Sequence, residues 1–367
     1  MNTYQTGKLG IGEGVALVFG LVVTRLFLSG LTDVVRVNGQ ILWLSMIIYT
    51  VIPLLILYMM IYVNNSASGD IVAVCEHLVG KPGAWLMITA YILMFFANSA
   101  SLLRQYAEYT IITALPRAEF QLVILWYVVS VGIVCYLGIE AICRAGYIML
   151  PFVIVAMIVI FALVSPFYIA YNLTPWQGNG IIKAVQSGIT GVGFNLGVLS
   201  LIFMSSAFQN VKTIKRIAMY AFGGSLLLRI VYMFVYIMVF GVNVGGEKAM
   251  PFFELTRLVY LNQYFQRIEA LFIMVWVIVG LLSIVGSLYI GLYLIVILLK
   301  LPALRPIVPL GVVIIANLAM LPPNIGYTID IDRLLLQISL LGMYVFPGIL
   351  FIMALLKKRR KKTCADL

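Results

Sequence analysis

The chain has 367 residues, of which 63% are hydrophobic and only 10% are charged, and its mean hydropathy is +1.10. No soluble core needs so much apolar surface, so the composition predicts a polytopic α-helical membrane protein and excludes a soluble globular domain. The net charge of +11 is concentrated in short loops and in a basic tail at residues 357–362, so we attribute it to membrane topology and expect no nucleic-acid partner. One histidine and four cysteines form no cluster, so no metal, cofactor or disulfide framework is expected.

Hydropathy predicts ten membrane spans. They cover residues 11–31, 40–63, 84–113, 119–138, 146–165, 187–206, 217–242, 268–299, 306–322 and 335–356. An even number places both termini on one side, where the loops and tail hold fourteen Lys and Arg residues against seven in the opposite loops. The positive-inside rule therefore predicts cytoplasmic termini. The basic tail could also attract anionic membrane lipid, although a stop-transfer flank is the simpler interpretation.

Three arginines fall inside predicted spans: Arg25 in span 1, Arg104 in span 3 and Arg229 near the middle of span 7. An arginine at that depth costs at least about 2.5–3.5 kcal/mol, so it faces the interior, pairs, or marks a site. Glu108 follows Arg104 by one helical turn, which predicts a mainly structural ion pair, with proton relay through Glu108 as the alternative. Arg25 and Arg229 have no local acid. They need partners from other helices or from a ligand, and a carboxylate would serve.

Two loops carry helical patterns. In loop 2–3, apolar residues with helical spacing follow Asp70 and stop at Gly80, which predicts a short interfacial helix. In outer loop 7–8, Pro251 can open a helix that has Phe252 and Leu255 on one face.

Span 6, at residues 187–206, carries four glycines and two polar side chains in its first half: Gly188, Thr190, Gly191, Gly193, Asn195 and Gly197. Glycine weakens a helix by about 1 kcal/mol relative to alanine, so this composition favours a broken helix. In lipid, irregular backbone survives only where it packs in protein or lines a cavity, and such breaks form many transporter sites. Close helix packing is the alternative, and it is the interpretation that the span taken alone favours.

Several motifs occur in a characteristic order along the chain: Leu78-Val-Gly80-Lys81, Gly138-x-Glu140-x-x-x-Arg144, Pro251 with Arg257, and Phe265-x-Arg267-x-Glu269 followed by Trp276. Together with the ten predicted spans, they resemble the spore germination receptor B subunits. These are the GerAB family of endospore germination permeases, within the amino acid–polyamine–organocation superfamily. The resemblance extends over nearly the whole chain.

The resemblance implies an all-α integral membrane fold with a single transmembrane domain of ten helices. Two inverted five-helix repeats would cover about 11–165 and 187–356, followed by a cytoplasmic tail at 357–367. Spans 1 and 6 would be broken at mid-membrane and would hold the ligand, with spans 3 and 8 completing the pocket. The break in span 1 is expected near residues 20–25.

The resemblance also implies a set of site residues. The ligand-binding residues would be Val23, Thr24, Arg25, Asn98, Ser99, Ser101, Gly191, Gly193, Asn195, Gly197, Trp276, Gly280 and Ser283. Arg104, Glu108 and Arg229 would have coupling or structural roles. Span 5 has no lysine to replace a coupling sodium ion, so the sequence leaves ion coupling open.

The sequence is compatible with two functions. In the first, the chain is the membrane subunit of a spore germinant receptor in the spore inner membrane or cell membrane. It binds a small nutrient germinant, an amino acid, and acts with receptor A and C subunits. In the alternative, it is an active amino-acid permease, coupled to an ion or to protons, with Glu108 as the best available acid. The spans contain no Ser/His or paired-carboxylate arrangement, so no enzymatic activity is predicted.

Overall fold

The computed structural model describes residues 7–28, 30–65, 69–259 and 269–363, and over these ranges it contains helices and no strand. The α-helices in chain order are α1 Ile11–Val23, α2 Gly30–Asn38, α3 Leu42–Asn64, α4 Ile71–Val79, α5 Lys81–Thr113, α6 Phe120–Leu137, α7 Ile139–Leu163, α8 Ile181–Gly191, α9 Leu196–Phe203, α10 Val211–Gly245, α11 Pro251–Arg257, α12 Glu269–Leu298, α13 Val308–Met320, α14 Ile325–Leu340 and α15 Phe346–Thr363. A π turn at Leu341–Val345 joins α14 to α15.

Eight helical segments in the described ranges are long and apolar enough to cross a bilayer. Helices α1 and α13 are shorter, with 13 residues each. The all-α prediction is confirmed. The count of ten crossings and the two inverted repeats stay predictions, because length and composition alone do not establish them.

Both predicted interruptions are present. Helix α1 continues into a 3₁₀ turn at Thr24–Phe27, and the helix resumes only at Gly30, so the first break begins at the end of the range predicted for it. Helix α8 ends at Gly191, a 3₁₀ turn follows, and Asn195 has φ −82° and ψ 59° before α9 begins. Polar side chains and glycine lower the cost of leaving the helical conformation at these two points.

The two loop helices are confirmed. The Asp70 side chain caps α4 by accepting from the Ala73 N–H at 2.9 Å, and Gly80 ends α4 with a φ of 84°, which a side chain would disfavour. Helix α11 begins at Pro251 and buries Phe252. The motif residues Phe265 and Arg267 lie outside the described residues.

Several predicted span boundaries are wrong. Helix α14 begins at Ile325 instead of residue 335, so Arg333 lies in a helix and not in an outer loop. Helices α7 and α10 likewise begin before their predicted starts at residues 146 and 217 and include charged residues assigned to loops. The hydropathy window stops at the first cluster of charges, whereas a helix continues wherever those charges are paired or reach the interface.

Helices α5 and α12 pack face to face at the centre of the protein. The Tyr106 ring stacks on Trp276 with 4.5 Å between ring centroids, and both side chains are almost completely buried. A Cβ atom added at Gly280 would overlap the Tyr106 ring. The absence of a side chain at Gly280 therefore allows these two helices to approach closely.

We expect Gly280→Ala to destabilise the protein by about 1–3 kcal/mol, because the stacked Tyr106 ring has no space into which to move. Gly223→Ala is the matched control, since a Cβ at this glycine of α10 meets no atom within 4 Å. Thermal unfolding of the detergent-solubilised protein measures both effects. Equal melting temperatures for the two variants would contradict this account of the α5–α12 contact.

Candidate functional site

A cavity of about 200 Å³ lies between the first break, α2, α3, α5, α8, α10 and α14. Its wall combines apolar side chains with polar and charged ones. The apolar wall residues are Leu26, Leu28, Leu31, Val34, Met46, Ile329 and Leu336, and the polar and charged ones are Arg25, Asp33, Ser45, Tyr49, Gln105, Ser187, Arg229, Asp332 and Arg333. A cavity in which apolar side chains surround convergent polar groups is typical of a small-molecule site.

The first break places Arg25 in an ion pair with Asp332 of α14. The Arg25 Nη1 donates to Asp332 Oδ2 at 2.6 Å, and Nη2 donates to Asn98 Oδ1 at 2.5 Å. Ser101 donates to the other oxygen of Asp332 at 2.6 Å. The two charged side chains are 16% and 18% exposed, so the pair is largely withdrawn from solvent. It joins the first break to α5 and α14.

The network continues away from the pair. Asn98 donates to Ser287 of α12 at 2.8 Å, and Gln105 donates to Ser101 at 3.0 Å. Asn98 thus links Arg25 of the first break to α12. Gln105 itself lies in the cavity wall.

Thr24 and Ser283 fix the start of the first break to α12 through a hydrogen bond between their hydroxyl groups. The Ser283 hydroxyl oxygen also lies within hydrogen-bonding distance of the Gly20 carbonyl, at 3.1 Å, and of the Val279 carbonyl, at 3.0 Å. Val23 is buried beside them and lines a separate, apolar void between α1, α7 and α12. These contacts stabilise the first break on the side that faces away from the cavity.

The second break contributes Gly191 to the cavity wall. The neighbouring predicted residues face packing partners instead. A Cβ at Gly193 would lie 2.5 Å from the Leu336 carbonyl, and one at Gly197 would lie 2.6 Å from Val22. Asn195 is fully buried and donates to the Tyr49 carbonyl at 3.3 Å. Small residues at this break therefore serve close helix packing as well as the cavity.

Arg229 reaches the cavity from the middle of α10. Its Nη2 donates to the Val22 carbonyl at 2.7 Å, near the end of α1, where the break leaves carbonyl groups without helical donors. The guanidinium carbon lies 4.2 Å from the centroid of the Tyr49 ring, a cation–π arrangement. Arg229 is only 3% exposed.

A second ion pair in the wall joins α2 to α14. Arg333 Nη2 lies 3.0 Å from Asp33 Oδ1, and Arg333 also contacts Asp330 at 3.2 Å. The Arg333 side chain is 53% exposed, so solvent screening weakens this pair compared with the one at Arg25.

Arg104 and Glu108 form the predicted local ion pair on α5. Arg104 also lies 4.1 Å from the Phe120 ring centroid and donates to the Ala319 carbonyl at 3.4 Å. Neither residue lines the cavity. Their contacts are those of a structural pair that holds α5 to α6 and α13.

The predicted ligand residues thus fall into two groups. Arg25 and Gly191 lie in the cavity wall, as does Arg229, and Asn98 and Ser101 hydrogen-bond directly to wall side chains. Eight others pack behind the wall: Val23, Thr24, Ser99, Gly193, Asn195, Gly197, Gly280 and Ser283. Trp276 stacks on Tyr106 away from the wall. Ligand contact by each of these residues stays a prediction.

Sequence reasoning missed Asp332, Tyr49 and Gln105. Asp332 was assigned to a loop because it lies within the charged run Asp330-Ile-Asp-Arg333. A usable signal existed, since Arg25 required an acid from another helix and few acids lie close to an apolar span. Tyr49 and Gln105 had no such signal, because the sequence does not show which face of α3 or α5 meets the break.

Helices that are broken twice around a central cavity are a fold feature found in many secondary transporters. The fold is similar to MHP1, a nucleobase-cation-symport-1 family transporter solved with bromovinylhydantoin bound, with a TM-score of 0.70 and 13% identity over 95% of this chain and 79% of that one. It is similar to MhsT in complex with L-phenylalanine, with a TM-score of 0.62 and 14% identity over 96% and 99%. A manganese transporter of Eremococcus coleocola gives a TM-score of 0.58 and 13% identity over 95% and 79%.

Residues 8–327 match the sequence profile of the spore germination protein family, and the chain belongs to that family. A Bacillus subtilis (strain 168) relative named as a spore germination protein, YfkT, is 29% identical over 214 residues, which are 57% of this chain and 54% of the relative. The match spans about half the length of that relative. Family and fold together confirm a permease-like, integral multi-pass membrane protein.

Removing the acid of the central ion pair should destabilise the fold. We expect Asp332→Asn to cost on the order of 3 kcal/mol, because it removes the carboxylate that is paired with the largely buried Arg25 guanidinium. The double variant Arg25→Met/Asp332→Leu should recover much of that loss. Asp330→Asn is the matched control on the same helix, since this side chain is 72% exposed and should cost less than about 1 kcal/mol. Thermal unfolding tests all three, and an Asp332→Asn variant as stable as the control would contradict the assigned role of the pair.

Proposed function

We propose that this protein is the ligand-sensing membrane subunit of a spore germinant receptor, and that a small nutrient amino acid binds in the central cavity. The observation that carries the proposal is a small cavity at two helix breaks, whose wall combines apolar side chains with charged groups. The family supports a role in germination. The fold neighbour MhsT, solved with L-phenylalanine, supports an amino acid as the ligand.

The proposed sensing mechanism depends on the helices that form the cavity wall. A ligand that contacts α2, α8 and α14 together favours the arrangement in which these three elements are close, by the difference in its affinity for the two states. The Asp33–Arg333 pair joins two of these elements, so it would be strengthened in that arrangement. Receptor A and C subunits would respond to the resulting change, because two sites that favour the same conformational state are thermodynamically coupled.

The proposed location is the spore inner membrane or the cell membrane, with both termini in the cytoplasm. The basic residues that begin with Lys357 and Lys358 support this orientation through the positive-inside rule.

Filling the cavity should abolish the response. A Cβ at Gly191 would already lie 3.1 Å from the Tyr49 ring, so we expect Gly191→Leu to occupy ligand space and to eliminate germination triggered by amino acids. Gly223→Leu on α10 is the control, since that position is open. Spores carrying each variant at equal protein levels are scored for loss of refractility. A normal germination response in Gly191→Leu spores would contradict the proposal that the ligand binds in this cavity.

Asp332 favours a second candidate, an active permease. It is an acidic side chain in the cavity wall, paired with an arginine at a helix break, and acidic residues inside membrane segments often mark ion or proton pathways. We expect a proton-coupled permease to lose gradient-driven uptake in Asp332→Asn and to keep it in Glu108→Gln, because Glu108 lies outside the wall. Uptake of labelled amino acids by proteoliposomes measures both. A preparation that binds an amino acid but never accumulates it would exclude the permease and leave the sensor as the remaining function.

A further inference from the structure

The charges of the cavity wall do not balance. The wall contains three arginines, Arg25, Arg229 and Arg333, and two aspartates, Asp33 and Asp332. Each aspartate is paired with one arginine, at 2.6 Å for Asp332 and Arg25 and at 3.0 Å for Asp33 and Arg333. Arg229 is left over, and among the residues that the structure describes no Asp or Glu lies within 4.0 Å of it.

Arg229 also has unused hydrogen-bond donors. Nη2 donates to the Val22 carbonyl, while Nε and Nη1 are buried and have no acceptor in the described ranges. The Tyr49 ring covers the guanidinium and attracts its charge, but a ring face does not replace an anion. A cation buried this deeply is costly without a counter-charge, so an anionic group placed beside Arg229 would stabilise it.

Arg25 cannot serve the same purpose. Both of its terminal nitrogens already donate, one to Asp332 and one to Asn98. A ligand carboxylate at Arg25 would have to displace an existing carboxylate, whereas one at Arg229 would meet donors that are not in use. The sequence offered both arginines as partners for a carboxylate, and the structure distinguishes them.

We infer that Arg229 is the anion-binding residue of the cavity and that it holds the carboxylate of a small carboxylic acid with an apolar body. The apolar body is assigned to the part of the wall formed by Leu26, Leu31, Met46 and Leu336. Gly30, the first residue of α2, also lies in the wall, and the partial positive charge of a helix start favours an anion there. This inference rests on the proposed function and adds to it the residue that binds the carboxylate of the ligand.

The first test changes the ligand and leaves the protein intact. Purified wild-type protein is titrated with the twenty L-amino acids in a thermal-shift assay, and each one that binds is compared with its own carboxamide. Charge-assisted hydrogen bonds contribute about 1.5–3 kcal/mol, so the amide should bind about 10- to 150-fold more weakly. Equal binding of acid and amide would overturn the assignment of Arg229 and leave an amino-acid or amide receptor in place.

The second test changes Arg229. Arg229→Met should erase the difference between acid and amide, and Arg229→Lys, which keeps a positive charge, should restore part of it. If Arg229 only ties the Val22 carbonyl to α10, both variants lose melting temperature but keep the wild-type preference for the acid, and the inference fails. Should Arg229→Met not fold, Arg229→Lys decides the matter, because an acid–amide ratio unchanged from the wild-type protein in that variant would overturn the assignment of Arg229.

A third set of probes separates this inference from the proposed function. The 2-hydroxy and 2-oxo acids that correspond to leucine and phenylalanine keep the carboxylate and lack the amine. If these acids bind while no amino acid does, the result supports a carboxylate site at Arg229 and contradicts the proposed amino-acid sensor. If neither they nor any amino acid binds, the carboxylate site is overturned.

Discussion

The ion pair between Arg25 and Asp332 is the interaction on which the centre of this protein depends. An arginine within a membrane helix needs a counter-charge, and the nearest one is supplied by α14, far away in the sequence. The first helix can break at Thr24 because the side chains beside the break are held by α5, α12 and α14. The same pair brings α14 against the break and so closes one side of the cavity.

The two breaks, the cavity and Arg229 are connected through helix ends. Ending α1 early leaves its last carbonyl groups without helical donors, and Arg229 satisfies one of them at Val22. The rest of that guanidinium then lies beside the space that the breaks created. A site that combines fixed charges with apolar walls lets a small ligand contact several helices at once, and this is the requirement for shifting a conformational equilibrium.

The glycines of the chain illustrate how one residue type serves different purposes. Gly191 borders the cavity, while Gly193 and Gly197 let α14 and α1 approach the second break, and Gly280 admits the Tyr106 ring between α5 and α12. The sequence presented glycine packing and glycine breaks as alternatives. In the structure the broken helix needs both, because irregular backbone in a membrane must be enclosed by close-packed neighbours.

The sequence by itself determined the helical membrane class, the short helices at Asp70 and Pro251 and the local Arg104–Glu108 pair, because each depends on composition or on residues within one or two turns. The two interruptions were expected from the family resemblance, and in span 6 the glycines and polar side chains agreed with it. The sequence did not determine where α14 begins, which acid meets Arg25, or which arginine keeps free donors. Those outcomes depend on the packing of helices separated by hundreds of residues, and only the tertiary structure decides which side chains come within hydrogen-bonding distance.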